Sequence, residues 1–212
     1  MQREYLYLNG QRLAIAPNEQ PGDSADYADV LQGFGPSTYL RLGETSATTA
    51  FDQTLNSHDG TYSGDFTLGA VGGTLDSDPA LSLSGAGYVD VAQHDDLIAF
   101  GTGDFAVTLL FYSNQVVSDP QVMVAYTTRG ASSTDLWLLY IEGGGVNKLS
   151  WQVGEGDVHA KNILGDTSVA ADNRWHHVVG QRVNGVLEMW VDGVKQSQTL
   201  AHGVHLSQWA NT

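Results

Sequence analysis

The run Trp175-His176-His177-Val178-Val179, followed by Val186-Leu187-Glu188-Met189-Trp190-Val191, restricts this chain to a β architecture. Asn184-Gly185 separates the two runs and Asp192-Gly193 closes the second. Both dipeptides favour the positive φ values that a two-residue type I′ hairpin turn requires. Between the turns, Leu187, Met189 and Val191 share one face, while Val186, Glu188 and Trp190 share the other. The pattern predicts an antiparallel meander with one buried face.

The same alternation recurs along most of the chain. Phe105, Val107, Leu109 and Phe111 alternate cleanly and are predicted to lie in the core. Strands are expected over 37–42, 81–83, 88–91, 121–127, 136–141 and 149–153, with 169–173 a loop and Gly143-Gly144-Gly145 a turn. Trp151 falls on the face of Leu149 and Val153, which predicts burial. Near the start, Asn9-Gly10 marks a short hairpin over residues 4–15, and the Pro17 to Asp23 stretch reads as a linker. Ser24 then caps one short helix, in which Tyr27, Val30, Leu31 and Phe34 recur at helical spacing until Gly33 and Pro36 end it. The predicted organisation is a hairpin and linker over 1–23 and one sandwich domain over 24–212.

Composition narrows the partners. Nine Lys plus Arg stand against 24 Asp plus Glu, for a net charge of −15. Phosphate backbones need a basic face, so nucleic acid is excluded as a partner, and an anionic membrane surface would repel the chain. The chain has no Cys, hence no disulfide framework and no thiolate metal site. The start, Met1-Gln2-Arg3-Glu4-Tyr5, lacks a basic-then-apolar leader, and no apolar run reaches the roughly 18 residues of a membrane span. Neither leader-dependent export nor membrane insertion is expected.

Several segments resemble one family, in its usual order. They are Tyr39-Leu40-Arg41-Leu42-Gly43-Glu44, the stretch from Asp52 to Asp59-Gly60-Thr61-Tyr62, Gly87-Tyr88-Val89-Asp90-Val91, Gly103-Asp104-Phe105-Ala106-Val107-Thr108, and the Trp175–Gly193 meander. Together they resemble laminin-G-like domains of the concanavalin A-like jelly-roll superfamily, over roughly residues 27 to 200. The resemblance implies an all-β jelly-roll sandwich of two antiparallel sheets. It implies that His176-His177 is a fold signature, with one imidazole part-buried and hydrogen-bonded and the Trp beside it in the core. It also implies a calcium ion held by the loop of Asp52, Asn56 and Asp59, although Leu55 stands where the family usually has glycine. The family continues past its closing hairpin with a last strand, whereas this chain ends at Ala210-Asn211-Thr212, so either that strand is supplied otherwise or a sheet edge stays open.

Catalysis finds no support in the sequence. One jelly-roll group of glycosidases uses Glu-x-Asp-x-x-Glu on a single strand, where same-face spacing brings carboxyl groups to roughly 5 Å. The nearest match, Glu155-Gly156-Asp157-Val158-His159-Ala160, lacks the last acid. No Gly-x-Ser-x-Gly elbow is present. Consecutive strand residues point to opposite faces, so His176 and His177 do not both ligate one ion. His202-x-x-His205 has no third ligand nearby in sequence. Sugar binding instead asks for exposed aromatic faces beside amides and carboxylates. Trp137, Tyr140 and Trp190 are the candidates, with Tyr126 behind them.

The stretch from Tyr27 to Glu44 resembles laminin-G-like domains of tailed-phage structural proteins. That resemblance implies a non-catalytic adhesion module on a virion surface, or alternatively an extracellular one, binding cell-surface glycan. The N-terminal hairpin would be an assembly arm contacting other virion proteins in an oligomeric particle. The alternatives are a purely structural decoration or tail subunit, and the binding module of a polysaccharide-degrading enzyme.

Overall fold

In a computed structural model, residues 27–74, 78–127, 135–155 and 160–202 are described, together with the backbone of 5–8 and 11–14. The chain divides into two compact units, one of residues 17–97 and one of residues 1–16 with 98–212. The predicted boundary at 23/24 and the linker before it lie outside the described residues, as do the end of the chain and the Asp157–His159 stretch.

The second of these units contains the predicted meander. Its strands are β8 (Phe105–Tyr112), β9 (Gln121–Thr127), β10 (Asp135–Ile141), β11 (Lys148–Glu155), β12 (Lys161–Ser168), β13 (Trp175–Val183), β14 (Val186–Val191), β15 (Val194–Lys195) and β16 (Leu200–Ala201). One antiparallel sheet runs β12-β11-β10-β9, and the other runs β15-β14-β13-β8 with β16 also paired to β14. Asn184 and Gly185 have φ of 50° and 70°, Asp192 and Gly193 of 49° and 76°, so both turns adopt the expected left-handed conformations. The hairpin of β1 (Tyr5–Leu8) and β2 (Gln11–Ala14) is present too, in the register that Asn9-Gly10 predicts.

The two large sheets enclose one core. Trp137, Leu139 and Ile141 of β10 and Leu149, Trp151 and Val153 of β11 meet Phe105, Phe111, Val178, Leu187, Met189 and Val191 from the other sheet. Val107 and Leu109 pack against this cluster as half-buried residues, so the predicted face of β8 is the one that forms. At the centre, a Cβ on Gly180 would stand 2.5 Å from Trp151 Cδ2, so only glycine lets the indole cross the sandwich. Trp151 Nε1 then donates to Gln181 O at 3.2 Å, which satisfies its polar atom inside the core.

One expectation for β13 needs correction. Trp175 does not fill the core: it lies half-buried on the outer face with His177 and packs on Tyr112 at a centroid distance of 5.9 Å. Strand parity decides this, because the core face of β13 is the one carrying His176, Val178, Gly180 and Arg182. Arg182, unremarked in the sequence, is fully buried and donates to the carbonyls of Gly101 at 2.8 Å and Gly103 at 2.6 Å. These carbonyls meet the hydrogen-bonding demand of a guanidinium taken out of water.

The other unit holds α1 (Tyr27–Gly33), β3 (Thr49–Ala50), β4 (Gly60–Ser63), β5 (Phe66–Ala70), β6 (Ala80–Leu83), β7 (Tyr88–Val91) and a 3-10 turn over Asp95–Leu97. The helix falls where its spacing predicts and buries Ala28 and Leu31. The expected strand at 37–42 is only a single bridge, Leu40 to Asp52. Leu42 turns to a φ of 58°, which breaks an extended segment and bends the chain toward Gly43 and Glu44.

The core geometry generates a test. Replacing Gly180 with Ala forces a methyl into a fully buried indole and is expected to destabilise the fold by about 1–3 kcal/mol. Chemical denaturation measures it; an unchanged midpoint would show that the indole moves freely.

Candidate functional site

Asp52 organises the loop that the resemblance assigns to calcium. Its Oδ1 accepts the Tyr39 amide at 2.9 Å and the Thr54 amide at 3.1 Å. Its Oδ2 accepts the Thr54 hydroxyl at 2.7 Å and the His58 amide at 2.9 Å. Burial pulls the Asp52 carboxyl upward, but these four donors outweigh it and hold the group below the ordinary carboxylate value. Asn56 Nδ2 donates to Ser37 O at 2.9 Å, and Asp59 Oδ1 accepts the Asp52 amide at 2.8 Å. The three predicted ligands are thus brought together, but as the internal hydrogen bonding of a turn. Calcium takes roughly six to eight oxygen ligands. Among the described residues no three His, Asp or Glu side chains are placed to hold a metal ion.

Beside this loop lies an open cleft of about 250 Å³, lined by Arg41, Gly43, Glu44, Gln53 and Asp78. Each lining side chain is oriented by a local contact. Arg41 Nε donates to Asp78 Oδ2 at 2.8 Å. Glu44 Oε1 accepts the Phe51 amide at 2.9 Å, and Glu44 Oε2 accepts the Tyr62 hydroxyl. Gln53 Nε2 donates to Phe51 O at 3.1 Å. Burial, with Glu44 beside it, pushes the Tyr62 hydroxyl far above its ordinary value, so it stays a donor across the physiological range.

Phe51 is held between two residues of the cleft by its own backbone, and its side chain is 50% exposed. Alternation explains the exposure: Ala50 points inward and is fully buried, so its neighbour points out. The cleft therefore combines a guanidinium, two carboxylates and an amide, with half-exposed Phe51 bonded through its backbone to Glu44 and Gln53. Sequence reasoning missed it. Arg41, Gly43 and Glu44 lie in the family segment Tyr39–Glu44, but Arg41 and Asp78 are 37 positions apart, so nothing local joins them.

The predicted aromatic residues fare differently. Trp137 is a correction: it sits in the core, between Tyr126 at 6.1 Å and Trp151 at 6.5 Å, because β10 turns this face inward. Tyr140 is also corrected as a stacking platform. It lies on the opposite face of β10 yet is only 9% exposed, and its hydroxyl donates to Glu142 Oε1 at 3.0 Å. Trp190 does lie opposite Leu187, Met189 and Val191, half-buried, with the Lys195 ammonium 5.7 Å from its ring centre. The lysine occupies a position over the ring that a sugar would need. Tyr126 is half-buried against Trp137.

The two histidines face opposite ways, as the parity argument predicts. His176 is buried between Asp192 Oδ2 at 2.7 Å from Nδ1 and Asp172 Oδ2 at 2.8 Å from Nε2. The Asp192 hydrogen bond, then that of Asp172, raises the imidazole above its ordinary value against the opposing pull of burial. His177 faces the other way and shares a 2.7 Å hydrogen bond with Thr108. His202 is 1% exposed, and burial followed by the nearby Arg182 charge lowers its imidazole. His205 lies outside the described residues.

Comparison with known proteins fixes the family. A laminin-G family model, described as concanavalin A-like lectin/glucanases superfamily, matches residues 83–212. The chain belongs to this superfamily. Its two-sheet antiparallel unit is the jelly-roll sandwich that membership entails. Among solved structures, mouse laminin alpha1 chain, domains LG4-5, is similar at 14% identity and a TM-score of 0.37, over 49% of this chain and 25% of that one. A Bacillus licheniformis beta-glucanase is similar at 15% identity and a TM-score of 0.33, over 50% of this chain and 48% of that one. The chain spans less than half the length of these two. No curated protein matches it. The cleft residues 41–78 precede the matched stretch.

Two measurements follow from this geometry. With the Asp52 oxygens filled by four protein donors, millimolar calcium is expected to leave the melting temperature unchanged. A rise of several degrees would show that the loop recruits the ion after all. The His176 clasp has a definite pH window. The raised imidazole contributes stability below its unfolded value of about 6.5 that is lost as pH rises through its higher folded value. Asp192 works from the other side. Burial raises its carboxyl, but the His176 and His177 bonds win and lower it, so its contribution is lost as pH falls through the folded value. The stability difference between the wild type and His176→Gln is expected to peak at mildly acidic pH and shrink above neutrality. A pH-independent difference would mean that the clasp carries no charge.

Proposed function

We propose that this chain is a non-catalytic carbohydrate-binding module that binds cell-surface glycan through the cleft of Arg41, Glu44, Gln53 and Asp78. The observation that carries this reading is an open, polar cleft of Arg41, Glu44, Gln53 and Asp78, with half-exposed Phe51 tied by its backbone to Glu44 and Gln53. A pyranose ring offers an apolar C–H face and a rim of hydroxyl groups. Phe51 supplies apolar surface for the first, while carboxylates, amide and guanidinium supply paired acceptors and donors for the second. The cleft volume of about 250 Å³ is below the roughly 300–1,000 Å³ of pockets that enclose small molecules. It suits one ring of a polymer bound at the surface. Membership of the lectin/glucanase superfamily agrees with binding of carbohydrate or protein.

A binding role is also favoured by how the carboxylates are engaged. Glycosidases need one carboxyl to act as acid and another as nucleophile or base across the scissile bond. Glu44 here already accepts two protein donors, and Asp78 is paired with Arg41. The resemblance to phage structural proteins extends the proposal to a virion surface, with the β1–β2 hairpin as the arm toward other virion proteins. Neighbouring reading frames that encode capsid and tail proteins would support that setting.

A purely structural subunit is the second reading, favoured by Leu55, which stands fully exposed at the tip of the Asp52 loop. Glycan-array binding separates the two. Phe51→Ala is expected to weaken the best glycan roughly tenfold, about 1.4 kcal/mol, with the melting temperature unchanged because the ring is exposed. Trp190→Ala is expected to leave binding intact. Absence of glycan binding would favour the structural subunit, and turnover of a polysaccharide would overturn the non-catalytic role.

A further inference from the structure

Resting on the glycan-binding reading, the charge arrangement of the cleft narrows its ligand. Three of its lining side chains are charged: Arg41 against Glu44 and Asp78, for a local balance of −1. The guanidinium meets its counter-charge inside the cleft, since Arg41 Nε lies 2.8 Å from Asp78 Oδ2. Both partners are partly exposed, at 29% and 26% of their side-chain surface, so the pair faces the opening.

The pair is built by glycines. A Cβ on Gly43 would stand 2.8 Å from Asp78 Oδ1 and 3.0 Å from its Cγ, so the carboxylate lies directly against the bare Cα. A Cβ on Gly72 would stand 1.8 Å from the Asp78 carbonyl oxygen, which fixes the backbone at the same residue. Gly43 and Gly72 thus seat Asp78 on Arg41 from two sides. A guanidinium neutralised in this way still offers planar hydrogen bonding to hydroxyl groups, but little net attraction for an incoming anion. The overall charge of −15 adds long-range repulsion of acidic polymers at low salt.

We infer that the cleft selects uncharged glycan chains and rejects acidic ones, with the Gly43-seated Arg41–Asp78 pair as the selector. Affinity electrophoresis of the full chain through neutral glucans and galactans, alginate and heparin tests it. The wild type is expected to be retarded by a neutral polymer and not by alginate or heparin. Asp78→Asn, which removes the carboxylate charge beside Arg41, is expected to lose neutral binding and gain about tenfold in alginate affinity, the gain fading at high salt. Gly43→Ala pushes the carboxylate off the guanidinium without touching either group. It is expected to weaken neutral binding while the melting temperature stays within a few degrees. Retardation of the wild type by alginate or heparin, abolished in Arg41→Gln, would overturn the selectivity and leave glycan binding standing. Absence of retardation by any polymer would overturn both.

Discussion

The indole of Trp151 occupies the place where a side chain at position 180 would begin. That one approach sets the spacing of the sandwich. Because residue 180 is glycine, β13 comes close enough to β11 for Trp151 Nε1 to reach the Gln181 carbonyl. The remaining core side chains then pack into one cluster between the two sheets. A larger residue at 180 would separate the sheets and leave Leu149, Val153, Leu187 and Met189, all of which are fully buried, with fewer partners.

Polar groups complete what packing starts. Arg182 is buried at the end of β13, with its charge directed at the Gly101 and Gly103 carbonyls. His176 is clasped by Asp172 before the strand and Asp192 after the hairpin, which ties the loop preceding β13 and the Asp192-Gly193 turn to one imidazole. Arg182 reaches carbonyls 81 and 79 positions away and His176 reaches Asp192 across the β13–β14 hairpin, so both contacts form only when the strands have their final register. In the unit of residues 17–97, Asp52 plays a comparable part, collecting four donors from the chain before and after it.

Much of the fold was legible because strands and type I′ turns are local. The alternation of Leu187, Met189 and Val191, the pair Asn184-Gly185, and the helix at Tyr27–Gly33 each depend on neighbours a few residues away. The site was far less legible. Trp137 and Tyr140 look alike in sequence as aromatic residues on one strand, yet parity turns the first into the core, and cover on the second face hides most of the other. Trp190 keeps the predicted face but receives Lys195 over its ring. Phe51 and Asp78 carried no motif, and Arg41, though inside the family segment Tyr39–Glu44, gave no sign of its partner 37 positions away.

The sequence by itself determined the strand pattern, the turn types and the net charge of −15, because these follow from local sterics and summed charge. Tertiary structure alone decided which aromatics are accessible and which carboxylates are already bonded. Exposure and partnership depend on residues dozens of positions apart, and no local pattern records where the chain will bring them together.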